Sequence, residues 1–322
     1  MGSPQFTGPL AYFCIQFVEY KHAVGCKYYR EVLSLQAFDL FCKRNFPKAM
    51  SLNKELVYAW TARQSHETPN NQLFRISVIR QFAKYLDSQG YDSFIHPPCY
   101  NMTAARHVPY VFTEDEIGRI LYSADHLEKR NVSPYYHITT PIIMKTLYGC
   151  GLRITEALTL RMRDVDMKNK IIIVLDSKYG KNRIAPMSDS LWKAYLEYIT
   201  FYRFGTEMED PLFPDLLTAH GFYSRFREVL RMAGISHRGR GKGPRLHDMR
   251  HTFAVHCLNR WVREGRDIYA MLPILSEYLG HNSISATSDY LRLTPASFQD
   301  FLYVAKANHP LLNHTTGENV YE

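Results

Sequence analysis

The most constraining feature of this chain is a short run, Lys170-Ile171-Ile172-Ile173-Val174-Leu175. Consecutive β-branched side chains crowd a helix turn but pack well on a pleated surface, so the run reads as a strand. Lys178-Tyr179-Gly180-Lys181-Asn182 follows as a polar turn, and Arg183-Ile184-Ala185-Pro186 starts back in the other direction. Pro186 has no N–H to give to a ladder, which suits an edge strand. A basic hairpin therefore interrupts a chain whose other periodic segments are helical. The expected class is mainly α with a small β-hairpin or sheet (α+β).

A second constraint is the pair Pro97-Pro98, which no helix can run through. Beyond it, Thr113 followed by Glu116 has the spacing of a capping box, with Ile117, Ile120 and Leu121 as the apolar series. The boundary is expected near 100–110, giving a helical domain over 1–106 and a larger one over 107–322. Helix-spaced apolar positions run through Leu10–Phe41 and Gln72–Gly90 in the first. In the second, helices are expected at 115–127, 139–149, 153–161, 190–203, 218–233, 247–261, 267–279 and 296–307.

The 322 residues are 46% hydrophobic and 22% charged, which excludes a disordered, collagenous or coiled-coil chain. The net charge is +8 and the pI about 9.0, weak grounds in themselves for a polyanionic partner. The excess is uneven. The first 108 residues hold 12 basic and 7 acidic side chains, and the remainder 27 and 24. The six cysteines form no C-x-x-C pair and match no metal-ligand spacing, so free thiols in a reducing cytosol are expected. There is neither a secretion signal pattern nor an apolar run long enough to span a bilayer, which points to the cytoplasm.

Four segments carry charge in suggestive patterns. In Gly149-Cys150-Gly151-Leu152-Arg153-Ile154-Thr155-Glu156, an Arg opens a helix where the dipole disfavours it, and Glu156 stands one turn on. A surface ion pair would look the same. The hairpin turn offers Lys178 and Lys181, cations that can reach a phosphate or give a proton, though turns are polar by default. Arg238-Gly239-Arg240-Gly241-Lys242-Gly243-Pro244-Arg245 runs into His247-Asp248-Met249-Arg250-His251. His247 and Arg250 share a helix face; His247 and His251 are alternatively spaced as in an H-E-x-x-H zinc helix, with Asp248 in place of Glu and no obvious third ligand. Finally, Leu279-Gly280-His281 precedes Tyr290, and His281 is equally readable as a helix C-cap.

The order of these motifs decides between readings. Arg153-x-x-Glu156, a hairpin Lys178, His247-x-x-Arg250, His281 after Leu-Gly and then Tyr290 together resemble the tyrosine recombinase (phage integrase-like) family over about residues 108–295. The preceding domain is similar to that family's core-binding (SAM-like) domain. The family pattern, with its Lys three residues before a second Lys and eight before the Pro, selects Lys178 over Lys181. The resemblance implies a two-domain, C-shaped DNA clamp and a strand-transfer enzyme that needs no metal and no cofactor.

In that chemistry Arg153 and Arg250 neutralise the reacting phosphate, with His247 and His281 adding hydrogen bonds and Glu156 orienting Arg153. Tyr290, a phenol of ordinary pKa about 10, attacks as the nucleophile, His247 accepts its proton, and Lys178 protonates the departing 5′ oxygen. Lys181, Arg183, Arg238, Arg240, Lys242 and Arg245 are the candidates for contact with DNA. The implied partners are double-stranded DNA bearing recombination sites, other copies of the chain in a synaptic tetramer, and an accessory directionality factor. Leu302, Tyr303 and Val304 would dock on a neighbouring protomer. The rival readings are a type IB topoisomerase-like or telomere-resolvase enzyme with the same pocket, a non-catalytic DNA-binding relative, and a zinc hydrolase built on His247 and His251.

Overall fold

A computed structural model describes residues 5–99, 108–129, 131, 134–175, 182–214, 218–239, 243–281, 283 and 287–293. The chain folds into two units, residues 1–107 and 108–322. Lys178, Lys181, Arg240, Lys242 and the expected 296–307 helix lie outside the described residues.

Among the described residues the first unit holds four helices: α1 (Ala11–Ala23), α2 (Tyr29–Asn45), α3 (Lys54–Thr61) and α4 (Pro69–Ser88). The long apolar run from Leu10 is two helices, broken where Gly25 and Tyr28 take positive φ. Helix α3 is not among the helices the sequence predicts; Asn53 caps it, accepting from the Leu56 N–H at 2.9 Å. Phe17, Leu35, Phe38, Leu52, Leu56 and Phe82 fill the centre with no exposure. Arg75 is also buried. It donates to Glu67 at 2.7 Å and to the Trp60 and Ala62 carbonyls, tying the α3–α4 connection to α4.

The second unit begins with α5 (Glu114–Asp125), and its expected capping box is present. Thr113 N–H donates to Glu116 at 2.9 Å and Glu116 N–H to Thr113 Oγ1 at 3.1 Å. Then come α6 (Tyr136–Gly149), α7 (Ile154–Leu158), a 3-10 turn (Met162–Asp164), β1 (Val165–Asp166), β2 (Ile171–Val174) and β3 (Arg183–Pro186). Helices α8 (Asp189–Tyr202), α9 (Ala219–Met232), α10 (Leu246–Arg263) and α11 (Ile268–Leu279) follow, and a 3-10 turn spans Asp289–Leu293.

The hairpin is antiparallel, Ile172 opposite Ala185, and Pro186 does lie on an edge strand. A short strand, β1, adds to the far side of β2, making three strands rather than two. The 153–161 helix is shorter than expected. Leu160 leaves it to accept from the Leu212 N–H at 2.8 Å, beside the antiparallel bridge of Arg161 with Pro211.

The main core joins α5, α6, α8, α9 and the sheet through Ile120, Ile143, Met144, Ile172, Tyr195, Phe222 and Phe226. A second cluster lies between α10 and α11 and includes Leu258, Leu272, Leu275, Leu279 and Tyr290. Helix α10 is tied to the start of the unit as well: Phe112 N–H donates to Thr252 at 3.1 Å, and His256 bonds the Phe112 carbonyl at 3.0 Å. All six cysteines are free thiols. Among the described residues, no helix is long and apolar enough to cross a membrane.

Candidate active site

Four chain segments converge at the N-terminal half of α10. The turn between α6 and α7 supplies Arg153, β3 supplies Arg183, α10 supplies His247, Arg250 and His251, and the chain after α11 supplies His281 and Tyr290. The turn depends on Gly151, whose φ is +59°; a Cβ there would stand 2.5 Å from the Phe253 ring. Glycine alone meets both conditions.

Glu156 is the hub. Its carboxylate, 6% exposed, accepts from the Arg153 backbone N–H at 2.8 Å and from Arg153 Nη1 at 2.7 Å. It also accepts from Arg183 Nη1 at 3.0 Å and Nη2 at 2.6 Å, while Arg250 Nη1 stands 4.0 Å away. Burial alone would raise this carboxyl, but Arg183 and Arg153 outweigh it and hold it at about 2.

Arg250 is 1% exposed. Main-chain oxygens fix it: Nη1 donates to the Gly151 carbonyl at 2.8 Å and Nη2 to the Leu279 carbonyl. Its Nε–H is buried and has no partner among the described residues. A buried donor left unmade is costly. Burial and the neighbouring Arg153 push its pKa down to about 10, which still leaves it protonated at neutral pH. Arg153 is half-buried and reaches the Gly280 carbonyl from Nη2 at 3.4 Å.

Tyr290 is 3% exposed, its ring seated on the α10–α11 cluster. Burial raises the phenol above its ordinary range, and Arg250 and Arg153 pull against that rise. Its hydroxyl lies 3.2 Å from His251 Nδ1. Here the structure departs from the expectation drawn from sequence. The imidazole in reach of the phenol is His251, whereas His247, one turn earlier, is the more exposed of the two. The two rings meet edge to face with centroids 4.6 Å apart.

His281 bonds Thr287 Oγ1 at 2.8 Å, with its ring centroid 5.9 Å from Tyr290. Its backbone N–H also closes the end of α11 on the Ser276 carbonyl at 2.9 Å. All three imidazoles are held below their ordinary range, first by loss of water and then by surrounding positive charge. His247 and His281 fall to about 4 and His251 to about 3. They are neutral at pH 7.

The remaining expected residues are placed as follows. Arg183, grouped from sequence with the DNA-facing cations, turns inward, its side chain 6% exposed, because Glu156 offers both oxygens to its fork. Arg238 is exposed, with φ +51°. Arg245 precedes α10, half-buried, with its guanidinium on Asp248 at 3.4 Å. Asp248, which the zinc reading needs as a base, is fully buried and accepts from the Arg245 N–H at 2.8 Å as a cap for α10. In the sequence His251 stands out only as half of a zinc pair; its position one turn after His247 is the signal that it shares the pocket.

Comparison with known proteins places the chain in a family. The model of the phage integrase family matches residues 111–297. A Sinorhizobium fredii protein carrying the name integrase/recombinase y4rB is 30% identical over 87% of this chain and 91% of its own. The tyrosine recombinase XerA of Pyrococcus horikoshii is 27% identical over 73% of this chain and 74% of its own. Among solved structures, the Tn1549 transposon integrase in complex with transposon right end DNA superposes with a TM-score of 0.64, 17% identity and coverage of 92% and 98%. XerH recombinase bound to its difH substrate gives 0.62 at 18%, covering 96% and 90%. The chain belongs to the phage integrase family and is a DNA strand-transferring tyrosine recombinase.

Proposed function

We propose that this protein is a site-specific recombinase or integrase that cuts and rejoins double-stranded DNA through a 3′-phosphotyrosine. The observation that carries the reading is the convergence of the Tyr290 hydroxyl, buried Arg250 and Arg153 in one pocket beside neutral imidazoles.

The chemistry follows from the charges. A phosphodiester repels nucleophiles, and the pentacoordinate species formed on attack concentrates charge on the non-bridging oxygens. Two guanidiniums held on main-chain and carboxylate oxygens face that charge without reorganising. The Tyr290 oxygen bonds to phosphorus as the bond to the 5′ oxygen breaks. The phenol proton passes to His251, whose basicity rises as the phosphate offsets the surrounding cations. Lys178 gives a proton to the leaving 5′ oxygen. His247 and His281 hydrogen-bond the phosphate. The 5′ hydroxyl of a partner strand then reverses the step, and the ester conserves the bond energy, so neither metal nor cofactor enters.

The first unit, with its basic excess, is assigned the role of a core-binding domain on the duplex. Lys181, Arg238, Arg240, Lys242 and Arg245 are assigned to DNA contact, and Arg183 is withdrawn from that set. A tetramer on two DNA sites, passing through a Holliday junction in the cytoplasm, completes the reading. Leu302, Tyr303 and Val304 would link its protomers.

The test is a nicked suicide duplex carrying the cognate site. A covalent protein–DNA adduct is expected that survives EDTA and disappears in Tyr290→Phe. Adduct formation by Tyr290→Phe would assign the nucleophile elsewhere, and chelator sensitivity would revive the zinc reading.

A further inference from the structure

Glu156 has one carboxylate and three guanidiniums around it, one more than two phosphate-binding arginines require. The third, Arg183, reaches both carboxylate oxygens, at 3.0 and 2.6 Å, through the two prongs of its fork. Its side chain is 6% exposed, so it is closed to the duplex surface. It packs where α11 ends: a Cβ on Gly280 would lie 3.5 Å from Arg183 Cδ, and the Gly280 carbonyl takes Arg153 Nη2. Arg183 is thus built into the same cluster as Arg153 and Arg250, on a different strand of chain.

The charge of the cluster can be counted. Arg153, Arg183 and Arg250 contribute three positive charges and Glu156 one negative, leaving +2. Attack of a phenolate on a phosphodiester monoanion gives a phosphorane carrying two negative charges. Without Arg183 the cluster holds +1, and Glu156 draws Arg153 and Arg250 toward itself in competition with the phosphate.

We propose that Arg183 is a positioning residue of the phosphate site: it shares both Glu156 oxygens and offsets the carboxylate charge, so that Glu156 orients Arg153 without cancelling the positive charge that Arg153 and Arg250 present to the reacting phosphate. The proposal rests on the recombinase reading above. It does not require Arg183 to touch DNA. A purely structural ion pair between β3 and α7 would share the geometry but not the consequence, because its loss would be indifferent to the charge of the substrate.

That difference is measurable. Wild type, Arg183→Gln and Arg183→Lys are compared in single-turnover cleavage of two suicide duplexes. One has a normal scissile phosphate. The other has a methylphosphonate, in which a non-bridging oxygen is replaced by methyl and the phosphorane loses one negative charge. On the normal phosphate, Arg183→Gln is expected to cleave about 100-fold more slowly, the scale of one lost transition-state charge contact. On at least one methylphosphonate diastereomer the deficit shrinks to about tenfold or less, and Arg183→Lys, which keeps the charge, falls between. Affinity for uncleaved duplex is unchanged throughout.

Equal deficits on both substrates would make Arg183 structural and overturn the proposal. A weakened duplex affinity with a normal cleavage rate would return Arg183 to the DNA-contact set and also overturn it. If Arg183→Gln fails to fold, the Arg183→Lys comparison on the two substrates gives the same discrimination. Tyr290→Phe in parallel separates the two levels: an adduct absent from wild type, or persisting in Tyr290→Phe, refutes the recombinase reading itself.

Discussion

At the scale of single residues, the pocket is organised by what each polar atom can find as a partner. His251 has the Tyr290 hydroxyl at 3.2 Å, and the charges that act on it most are cations and other imidazoles, which lower its basicity. His251→Ala removes both the hydrogen bond and the proton acceptor. Adduct formation should slow by about 100-fold, the size of a general-base contribution, with duplex affinity intact. A cleavage rate equal to wild type would free His251 of any role and return the proton to His247. Both histidines are visible in the sequence, where the H-x-x-R spacing favours His247. Tyr290 is 39 residues from His251, and which imidazole it meets depends on how the last turn seats against α10. Arg183 is misread from sequence for a related reason. A basic residue beside a polar turn is expected to be solvated, and only the fold reveals the Glu156 oxygens that draw it inward.

At the scale of elements, the α6–α7 turn sets the position of Arg153. Gly151 and Gly280 both have left-handed φ, +59° and +64°, yet their surroundings differ. A methyl at Gly151 meets the Phe253 ring at 2.5 Å, whereas the nearest atom at Gly280 is 3.5 Å away. Gly280→Ala should therefore cost only the backbone strain, about 1 kcal/mol. Gly151→Ala adds an overpacking penalty, for roughly 2–4 kcal/mol in all. Urea unfolding of the two variants checks the order; equal losses would show that Phe253 yields freely. The elements themselves were unequally legible. The hairpin and the α5 capping box declare themselves through β-branched side chains and a fixed Thr-x-x-Glu spacing. Strand β1 has two residues and no pattern of its own; it exists because β2 offers an edge. Helix α3 is eight residues long, too short for its period to stand out.

At the scale of the whole molecule, the clustered histidines make stability depend on pH. His251 and His281 are neutral in the folded pocket, with pKa values of about 3 and 4 against 6.5 when solvated. The unfolded chain therefore binds more protons below about pH 6.5, and stability falls as pH is lowered from there toward 4. Glu156 adds to the loss later, between 4.5 and about 2. The urea midpoint should be lower at pH 5 than at pH 7, with a smaller difference in His251→Gln. A midpoint that does not move would mean that these rings are solvated or paired as cations.

The hold on Arg250 has a further consequence, for how freely such a sequence can change. Two of its nitrogens rest on the main-chain oxygens of Gly151 and Leu279. A peptide oxygen is encoded by no particular codon, and replacing Leu279 by another apolar residue leaves it where it is. The most deeply buried cation of the pocket is thus insulated from mutational drift at one of its two supports, and exposed to it at the other, where glycine is obligatory. Apolar replacement of Leu279 should therefore spare Arg250, while the α6–α7 turn stays narrow in what it accepts.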